Sequence, residues 1–297
     1  MKKLVSFSYD GGALCALPSR PSRSNKYDFG RVLCICGSSG MAGAAELAAR
    51  AAYRTGAGLV EIFTHSDNTV ALQAALPEAI VTSYGEDYKQ ELLLSSLERA
   101  DAVVIGCGLG ITALSRKILS DLLRAVDTEK IALVIDADAI NLLSKNRSLF
   151  KYVKGAVLTP HFMEASRLLD RAVDELMADT AQSAFEIAEK YGAICVMKDH
   201  ESVVSDGSER VYINKSGNAG MATAGAGDVL AGMIGAILAQ RSRGAISCSL
   251  LDAVTQGVYI HGLSGDAAAL RYGEYSLMAS DIIESIPTVL MRVAGGK

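Results

Sequence analysis

The sequence predicts an α/β fold in which a mostly parallel β-sheet is covered by helices on both faces. Short strand-like runs alternate with helical patterns along most of the chain, which is typical of βαβ units. The runs at residues 103–105, 132–135 and 194–197 are apolar throughout, as expected for strands that are buried on both faces. The composition also stays even from residue 31 to residue 290. No linker is therefore expected to divide the chain.

The elements follow one another in a regular order. Strands are predicted at residues 31–36, 59–63, 79–83, 101–105, 131–135, 155–158, 193–197, 201–205 and 209–213. Helices are predicted at residues 41–55, 112–126, 162–171, 174–191, 227–240, 249–264 and 276–291. The polar segment 199–216 predicts a β-hairpin with its turn at Asp206-Gly207. We expect residues 1–30 to form an irregular lead-in, with a loop at 18–26, and residues 31–297 to form one domain.

Charge and hydropathy exclude several kinds of partner. The 297 residues carry a formal net charge of −4, whereas a nucleic-acid-binding protein usually has a basic face. The longest apolar stretch, residues 229–239, is far shorter than the roughly 20 residues of a membrane span. No secretory signal follows Met1. We therefore expect a cytoplasmic protein with no nucleic-acid or membrane partner.

The cysteines predict packing rather than chemistry. None of the six has the paired spacing of a zinc site, and most lie in apolar runs. They are Cys15, Cys34, Cys36, Cys107, Cys195 and Cys248. We interpret them as small apolar side chains of a protein in a reducing compartment.

The strongest local signal for chemistry is a small-residue loop at residues 218–232. Without Cβ atoms, its Gly225 and Gly227 let the backbone approach a ligand closely. The N-terminus of a following helix attracts phosphate, and Asp228 is then placed to act as a general base on a hydroxyl group. A tight turn with Asp228 as a helix cap is an equal alternative.

Four further motifs accompany this loop in a fixed order. They lie at residues 37–60, 101–110, 134–143 and 158–165. Together with the loop, they resemble the signatures of the ADP-dependent NAD(P)H-hydrate dehydratases of the ribokinase-like superfamily. The resemblance covers about residues 30–290.

The resemblance implies a fold and an activity. The fold is a ribokinase-like three-layer sandwich. The activity is repair: the S epimer of hydrated NADH or NADPH (NADHX or NADPHX) loses water, with ADP or ATP as co-substrate and Mg²⁺. Phosphorylation of the hydroxyl group followed by loss of phosphate would restore the ring. Members of the family are often homo-oligomers, which we also expect here.

The resemblance also implies roles for individual residues. Asp228 would be the catalytic base. Substrate-binding positions would be Ala44, Gly108, Gly110, His161 and Asp228. Nucleotide-binding positions would be Lys198, Asp199, His200, Glu201, Ser202, Gly225, Ala226 and Gly227. Glu164 would hold Mg²⁺ through water, Asp136 and Asp138 would support the site or a metal-bound water, and Asn141 would contact substrate or cap a helix.

Some positions keep a simpler alternative. Lys198 could be a solvated surface lysine, His161 a structural histidine, and Glu164 an ordinary first-turn glutamate favoured by the helix dipole. Ala226 and Asp199 also differ from the family, which usually has threonine and glycine there.

Two other functions compete with the dehydratase. One is a kinase of the same superfamily that acts on a vitamin-precursor alcohol, and the segments 158–165 and 218–223 argue against it. The other is a nucleotide-binding relative whose site has decayed, as Ala226 and Asp199 suggest. Retention of Asp228, His161 and Lys198 argues against decay.

Overall fold

A single sheet forms the centre of the protein. The computed structural model describes residues 4–9 and 20–294, and ten strands of those residues form the sheet. The strands are β1 (Val5–Phe7), β2 (Arg31–Ile35), β3 (Leu59–His65), β4 (Ile80–Tyr84), β5 (Ala102–Ile105), β6 (Ala132–Ile135), β7 (Val157–Leu158), β8 (Ile194–Met197), β9 (Val203–Ser205) and β10 (Arg210–Ile213). Their order is β1-β10-β9-β8-β7-β6-β5-β2-β3-β4.

The sheet has a reversal of strand order at its centre. Strands β2 to β8 pair in parallel, with β3 and β4 on one side of β2 and β5 to β8 on the other. In open parallel sheets, ligands bind outside the carboxyl ends of the strands at such a reversal. Strand β9 is antiparallel to β8 and β10, which confirms the predicted hairpin. Its turn contains Gly207 with a φ of 80°.

Helices cover both faces of the sheet. They are α1 (Ala42–Arg54), α2 (Thr69–Ala75), α3 (Gln90–Leu97), α4 (Ala113–Ala125), α5 (Ala137–Lys145), α6 (Phe162–Leu169), α7 (Val173–Met177), α8 (Thr180–Tyr191), α9 (Ala226–Ser242), α10 (Leu250–Tyr272) and α11 (Ala279–Ala294). One buried cluster joins α1, α9, α10 and α11 to one face. A second joins α3, α4, α5 and α8 to the other, so the predicted three-layer sandwich is confirmed.

Several elements differ from the prediction. The sequence does not predict α2, α3 or α5, which are short. The single helix predicted at 174–191 is wrong, because the chain divides into α7 and α8 where the Asp179 side chain accepts from the Gln182 N–H (2.9 Å) and caps α8. Within the lead-in expected to be irregular, β1 pairs in parallel with β10. Of the predicted loop at 18–26, residues 18 and 19 lie outside the described residues.

The structure also shows how the cysteines are buried and whether any described helix could span a membrane. Cys34, Cys36, Cys107 and Cys195 are buried as free thiols, Cys248 is partly exposed, and Cys15 lies outside the described residues. Across residues 4–9 and 20–294, no helix combines the length and the apolar character needed to cross a membrane.

Helix α9 is enclosed by other elements, since every residue from Val229 to Gln240 is buried. Helix α1 crosses it so closely that a Cβ atom on Gly232 would overlap the carbonyl oxygen of Ala48. Small residues on both helices allow this contact. The first turn of α9, which carries Asp228, is thereby fixed over the sheet.

The close crossing of α1 and α9 should make the stability of the protein sensitive to substitution at Gly232. Gly232→Ala should lower the free energy of unfolding by about 1–3 kcal/mol or more, because the Ala48 backbone must move. The matched control is Gly43→Ala in α1, where no atom lies within 4 Å of the added Cβ and alanine should stabilise by up to about 1 kcal/mol. Urea unfolding measures both variants. Equal effects would contradict the close crossing.

Candidate active site

The loops at the central reversal are joined by backbone hydrogen bonds. The Gly37 N–H donates to the Cys107 carbonyl oxygen (2.9 Å), and the Ser38 N–H donates to the Gly108 carbonyl oxygen (2.6 Å). These bonds tie the loop after β2 to the loop after β5. Further along the same edge, the Lys198 N–H donates to the Pro160 carbonyl oxygen (2.9 Å). Gly108 and Lys198, two of the predicted site positions, therefore lie on loops that are tied to neighbouring loops.

The glycine loop after β5 meets the start of α1. Gly108 and Gly110 have φ angles of 58° and 75°, which favour glycine. A Cβ atom on Gly108 would lie 2.8 Å from that of Ala44, so the structure brings these two predicted substrate-binding positions together. The Gly110 N–H donates to Oδ2 of Asp138 (2.8 Å). Asp138 thus supports the loop, in keeping with the supporting role expected for it.

The phosphate-binding turn, residues 225–228, connects the small-residue loop to α9. Gly225 is the N-cap residue with a φ of 90°, and no side chain caps the helix. The alternative that Asp228 is the cap is therefore wrong. The Ala226 N–H donates to the Thr223 carbonyl oxygen (3.3 Å), a backbone hydrogen bond that closes residues 223–226 at the start of this turn. The N–H groups of Gly227 and Asp228 follow in the first turn, where no preceding turn accepts them.

A buried ion pair lies against this turn. Lys198 Nζ is 2.6 Å from Oδ1 of Asp136, and the Thr159 hydroxyl donates to the same oxygen (2.6 Å). A Cβ atom on Gly227 would lie 3.6 Å from Lys198 Nζ and 3.9 Å from Oδ2 of Asp136. The Lys198 side chain is only 20% exposed, so the solvated-lysine alternative is wrong.

The pair affects the protonation of its own lysine. Burial alone would lower the pKa of Lys198, but the carboxylates of Asp136 and Glu164 outweigh burial and raise that pKa. Lys198 is therefore a fixed positive charge beside Gly227, where a phosphate would bind.

Asp228 lies in a surrounding that favours its neutral form. Burial, followed by the charge of Asp136, raises its pKa to about 6, while a hydrogen bond with the Cys107 thiol and the charge of Lys198 oppose the shift. Ligand atoms of Cys107, Asp136 and Asp228 lie within 4.8 Å of one another. A carboxylate whose pKa is near the working pH is well suited to accept a proton.

His161 and Glu164 form a reciprocal cap at the start of α6. The His161 Nδ1 accepts from the N–H of Met163 (3.1 Å) and of Glu164 (3.3 Å), while the His161 N–H donates to Oε2 of Glu164 (3.0 Å). Burial, then the charge of Lys198, lowers the pKa of His161. Both residues thus have the structural role weighed for them, and Glu164 also faces the site, since its Oε2 is 4.0 Å from Lys198 Nζ.

The turn after Lys198 is held by its own side chains. The Asp199 N–H donates to the Ser202 hydroxyl (3.3 Å), and Oδ1 of Asp199 lies 3.1 Å from Nδ1 of His200. The side chains of His200 and Glu201 are exposed. The Asp199 carboxylate, which differs from the family pattern, is therefore engaged within the turn.

Some residues of the site are not found by sequence reasoning. The Cys107 thiol and the Thr159 hydroxyl contact Asp136, although the sequence predicts Cys107 only as a core side chain. Thr159 directly follows β7 and Cys107 lies two residues after β5, and a position just after a strand was the available signal. Asn141 accepts from the guanidinium of Arg167 (2.6 Å), an exposed contact between α5 and α6.

Sequence comparison identifies relatives over most of the chain. The family described as NAD(P)H-hydrate dehydratase matches residues 32–288. The ADP-dependent (S)-NAD(P)H-hydrate dehydratase of Lactiplantibacillus plantarum is 36% identical over 274 residues, 92% of each chain. The bifunctional NAD(P)H-hydrate repair enzyme Nnr of Escherichia coli is 37% identical over 97% of this chain and 52% of its own length. The chain thus spans about half the length of the first curated relatives it matches.

Solved structures share the fold. A ribokinase-like superfamily protein of Enterococcus faecalis superposes with a TM-score of 0.87 at 32% identity, over 97% of this chain and 96% of the other. The ADP/ATP-dependent NAD(P)H-hydrate dehydratase of Bacillus subtilis, co-crystallised with ATP and Mg²⁺, gives a TM-score of 0.79 at 29% identity, over 94% and 95%. The architecture is therefore ribokinase-like.

Proposed function

The chain belongs to the NAD(P)H-hydrate dehydratase family, and from that premise we propose that it dehydrates the S epimer of hydrated NADH or NADPH with ADP or ATP as co-substrate. One observation carries the proposal. Asp228, whose pKa burial raises to about 6, lies in the first turn of α9 beside Gly227 and Lys198. A proton acceptor and a phosphate site therefore adjoin.

The reaction needs both the proton acceptor and the phosphate site, because hydroxide is a poor leaving group and phosphate is a better one. The hydroxyl oxygen of the hydrate attacks the terminal phosphorus of the nucleotide while Asp228 takes the hydroxyl proton. The bond from that phosphorus to its bridging oxygen breaks, which shortens the nucleotide by one phosphate. The ring then expels phosphate as its C–O bond breaks, and loss of a ring proton restores the reduced nicotinamide.

Fixed charges stabilise the phosphoryl group during transfer. The N–H groups of Gly227 and Asp228 and the ammonium group of Lys198 are placed before substrate binds. Such groups act strongly in a partly buried site because they need no reorganisation. Asp136 holds Lys198 in position through the 2.6 Å contact. In this proposal Asp136 is a positioning residue.

Mg²⁺ would enter with the nucleotide, whose phosphate charge it offsets. The carboxylate that this chain offers it, through water, is Glu164, in keeping with the role implied by resemblance. Its side chain is 3% exposed, and burial raises its pKa to about 7. Because a nearby divalent cation favours the ionised carboxylate, Glu164 fits that role.

The setting of the enzyme is also part of the proposal. We expect it to act in the cytoplasm, where both nucleotides are dissolved. Homo-oligomer formation is supported by large apolar side chains at the end of α10 and the start of α11, since Leu270, Tyr275 and Met278 are all exposed.

The test is recovery of reduced nicotinamide absorbance from purified NADHX and NADPHX, with Mg²⁺ and either ADP, ATP or no nucleotide. We expect recovery only with nucleotide, with one phosphate released per reduced nicotinamide formed. Asp206→Asn, in the hairpin turn, is the control for handling and should behave as wild type. Absence of recovery from a folded protein that binds nucleotide would refute the dehydratase and favour a kinase of another alcohol.

A further inference from the structure

Helix α10 carries a buried histidine that the proposed chemistry does not use. His261 is 9% exposed, and its Nε2 has no hydrogen-bond partner. Buried polar atoms in folded proteins are nearly always paired, so an unpaired one calls for a physical explanation. A buried apolar side chain would fill this position without leaving such an atom.

The histidine adjoins the phosphate-binding turn. The backbone of Ala226 is near enough to favour the charged imidazole, and Lys198 is the charged group that acts against it. Both belong to the wall of the proposed nucleotide site. These influences place His261 close to the first turn of α9.

The same helix supports the beginning of the loop that leads to this turn. Asp266 accepts from the Gly217 N–H and from Nδ2 of Asn218, both at 3.0 Å. A Cβ atom on Gly265 would overlap Sδ of Met221. Helix α10 thus backs the loop at residues 217–221 and, through His261, again at Ala226.

The imidazole is neutral at physiological pH. Burial, together with the charge of Lys198, lowers the pKa of His261 to about 4. A neutral imidazole has one nitrogen that donates and one that accepts. Its Nε2 can therefore donate to or accept from a ligand without adding charge to the site.

We propose that His261 is a positioning residue of the phosphate-binding turn, and that its Nε2 gains a hydrogen-bond partner when an adenine nucleotide binds. The partner is a nucleotide oxygen or a water fixed by the nucleotide. The inference rests on the nucleotide binding of the proposed function. It adds a link between the nucleotide and α10 that does not pass through Asp228 or Lys198.

Nitrogen-15 NMR of histidine rings tests the link directly. The chain has four histidines, so single His→Gln variants assign every ring. Addition of ADP or ATP with Mg²⁺ should move the Nε2 resonance of His261 and leave that of His65 in place. A protonated Nε2 in the complex identifies donation to a nucleotide oxygen, and an unprotonated one identifies acceptance from water.

The outcomes separate the two hypotheses. If calorimetry shows nucleotide binding while the His261 resonance stays fixed, the inference is overturned and the proposed function stands. If no nucleotide binds to the folded protein, the proposed function fails and the inference fails with it.

Two variants add a functional measurement. His261→Leu should raise the Kd of the nucleotide by about 3- to 10-fold, as expected for one lost hydrogen bond, with the KM for the hydrate unchanged. His261→Gln should restore part of the affinity. Thr255→Val, at another buried polar position of α10, is the control. Equal losses for nucleotide and hydrate, without rescue by glutamine, would show a purely structural role; the NMR measurement decides if the variants do not fold.

Discussion

Asp228→Asn is expected to lower kcat for dehydration by about 10²- to 10⁴-fold, the range that a positioned general base contributes. Asparagine keeps the shape of the side chain but cannot take the proton from the hydroxyl group. Nucleotide affinity should be kept or improved, because a negative charge beside the phosphates is removed. Steady-state kinetics with NADHX, together with calorimetry for ADP and ATP, measures both effects.

The pH profile gives this prediction a sharper form. Because the pKa of Asp228 in the free protein is about 6, wild-type kcat/KM should fall as the pH drops below about 6 and the base becomes protonated. Glu164, with a pKa of about 7, titrates nearby, so the profile of Glu164→Gln isolates the limb of Asp228. A limb centred near pH 4 in that variant would refute the effect of burial on Asp228.

Asp228→Asn should also stabilise the fold. Folding raises the pKa of Asp228 from 3.8 to about 6, so the neutral form is favoured in the folded state. Its stabilising contribution is fully present below about pH 4 and is lost as the pH rises through 6. At pH 7, Asp228→Asn should therefore exceed wild type in free energy of unfolding by about 1–3 kcal/mol. Urea unfolding should show the difference shrink towards pH 4.

Lys198→Met is expected to have the second large effect, because it should lower both the catalytic rate and the stability of the fold. Loss of the fixed positive charge should lower kcat by about 10²- to 10³-fold, as for other preorganised groups at a reacting centre. The Asp136 carboxylate, 2% exposed, would lose its counter-charge, and breaking such a buried pair typically destabilises by about 3–5 kcal/mol.

A double variant separates the two effects. Lys198→Met combined with Asp136→Asn removes both charges and keeps a side chain that can still pair with Thr159. Stability should recover in large part, while activity should not. Recovery of activity together with stability would mean that Lys198 serves only to neutralise Asp136.

The sequence predicts the parallel core because burial on both faces leaves a readable pattern. Strands β5, β6 and β8 are apolar throughout, and helices of ordinary length separate them. Strand β1 has no such pattern, since it is three residues long and pairs with residues 210–212, far along the chain. Helices α2 and α3 are too short to show a clear helical period. Their formation depends on tertiary packing, as for most short helices.

The site was predictable where strand ends and glycine loops mark it. The general position of ligands in open parallel sheets places Lys198, Asp136 and the 225–228 turn together. What sequence spacing does not contain is a contact between distant segments. The thiol of Cys107 beside Asp228 and the imidazole of His261 close to Ala226 are contacts of this kind. Spacing also does not show that the ring of His161 caps α6 by accepting hydrogen bonds from its first turn.

The burial of α9 has a consequence for motion. A surface helix can open while the rest of the protein stays folded, but α9 is covered by α1, α10 and the sheet from Val229 to Gln240. Regions of this type open only in large cooperative units. The backbone amides of Val229 to Gln240 should therefore exchange as slowly as those of the core, and inactivation on heating should coincide with melting of the whole domain.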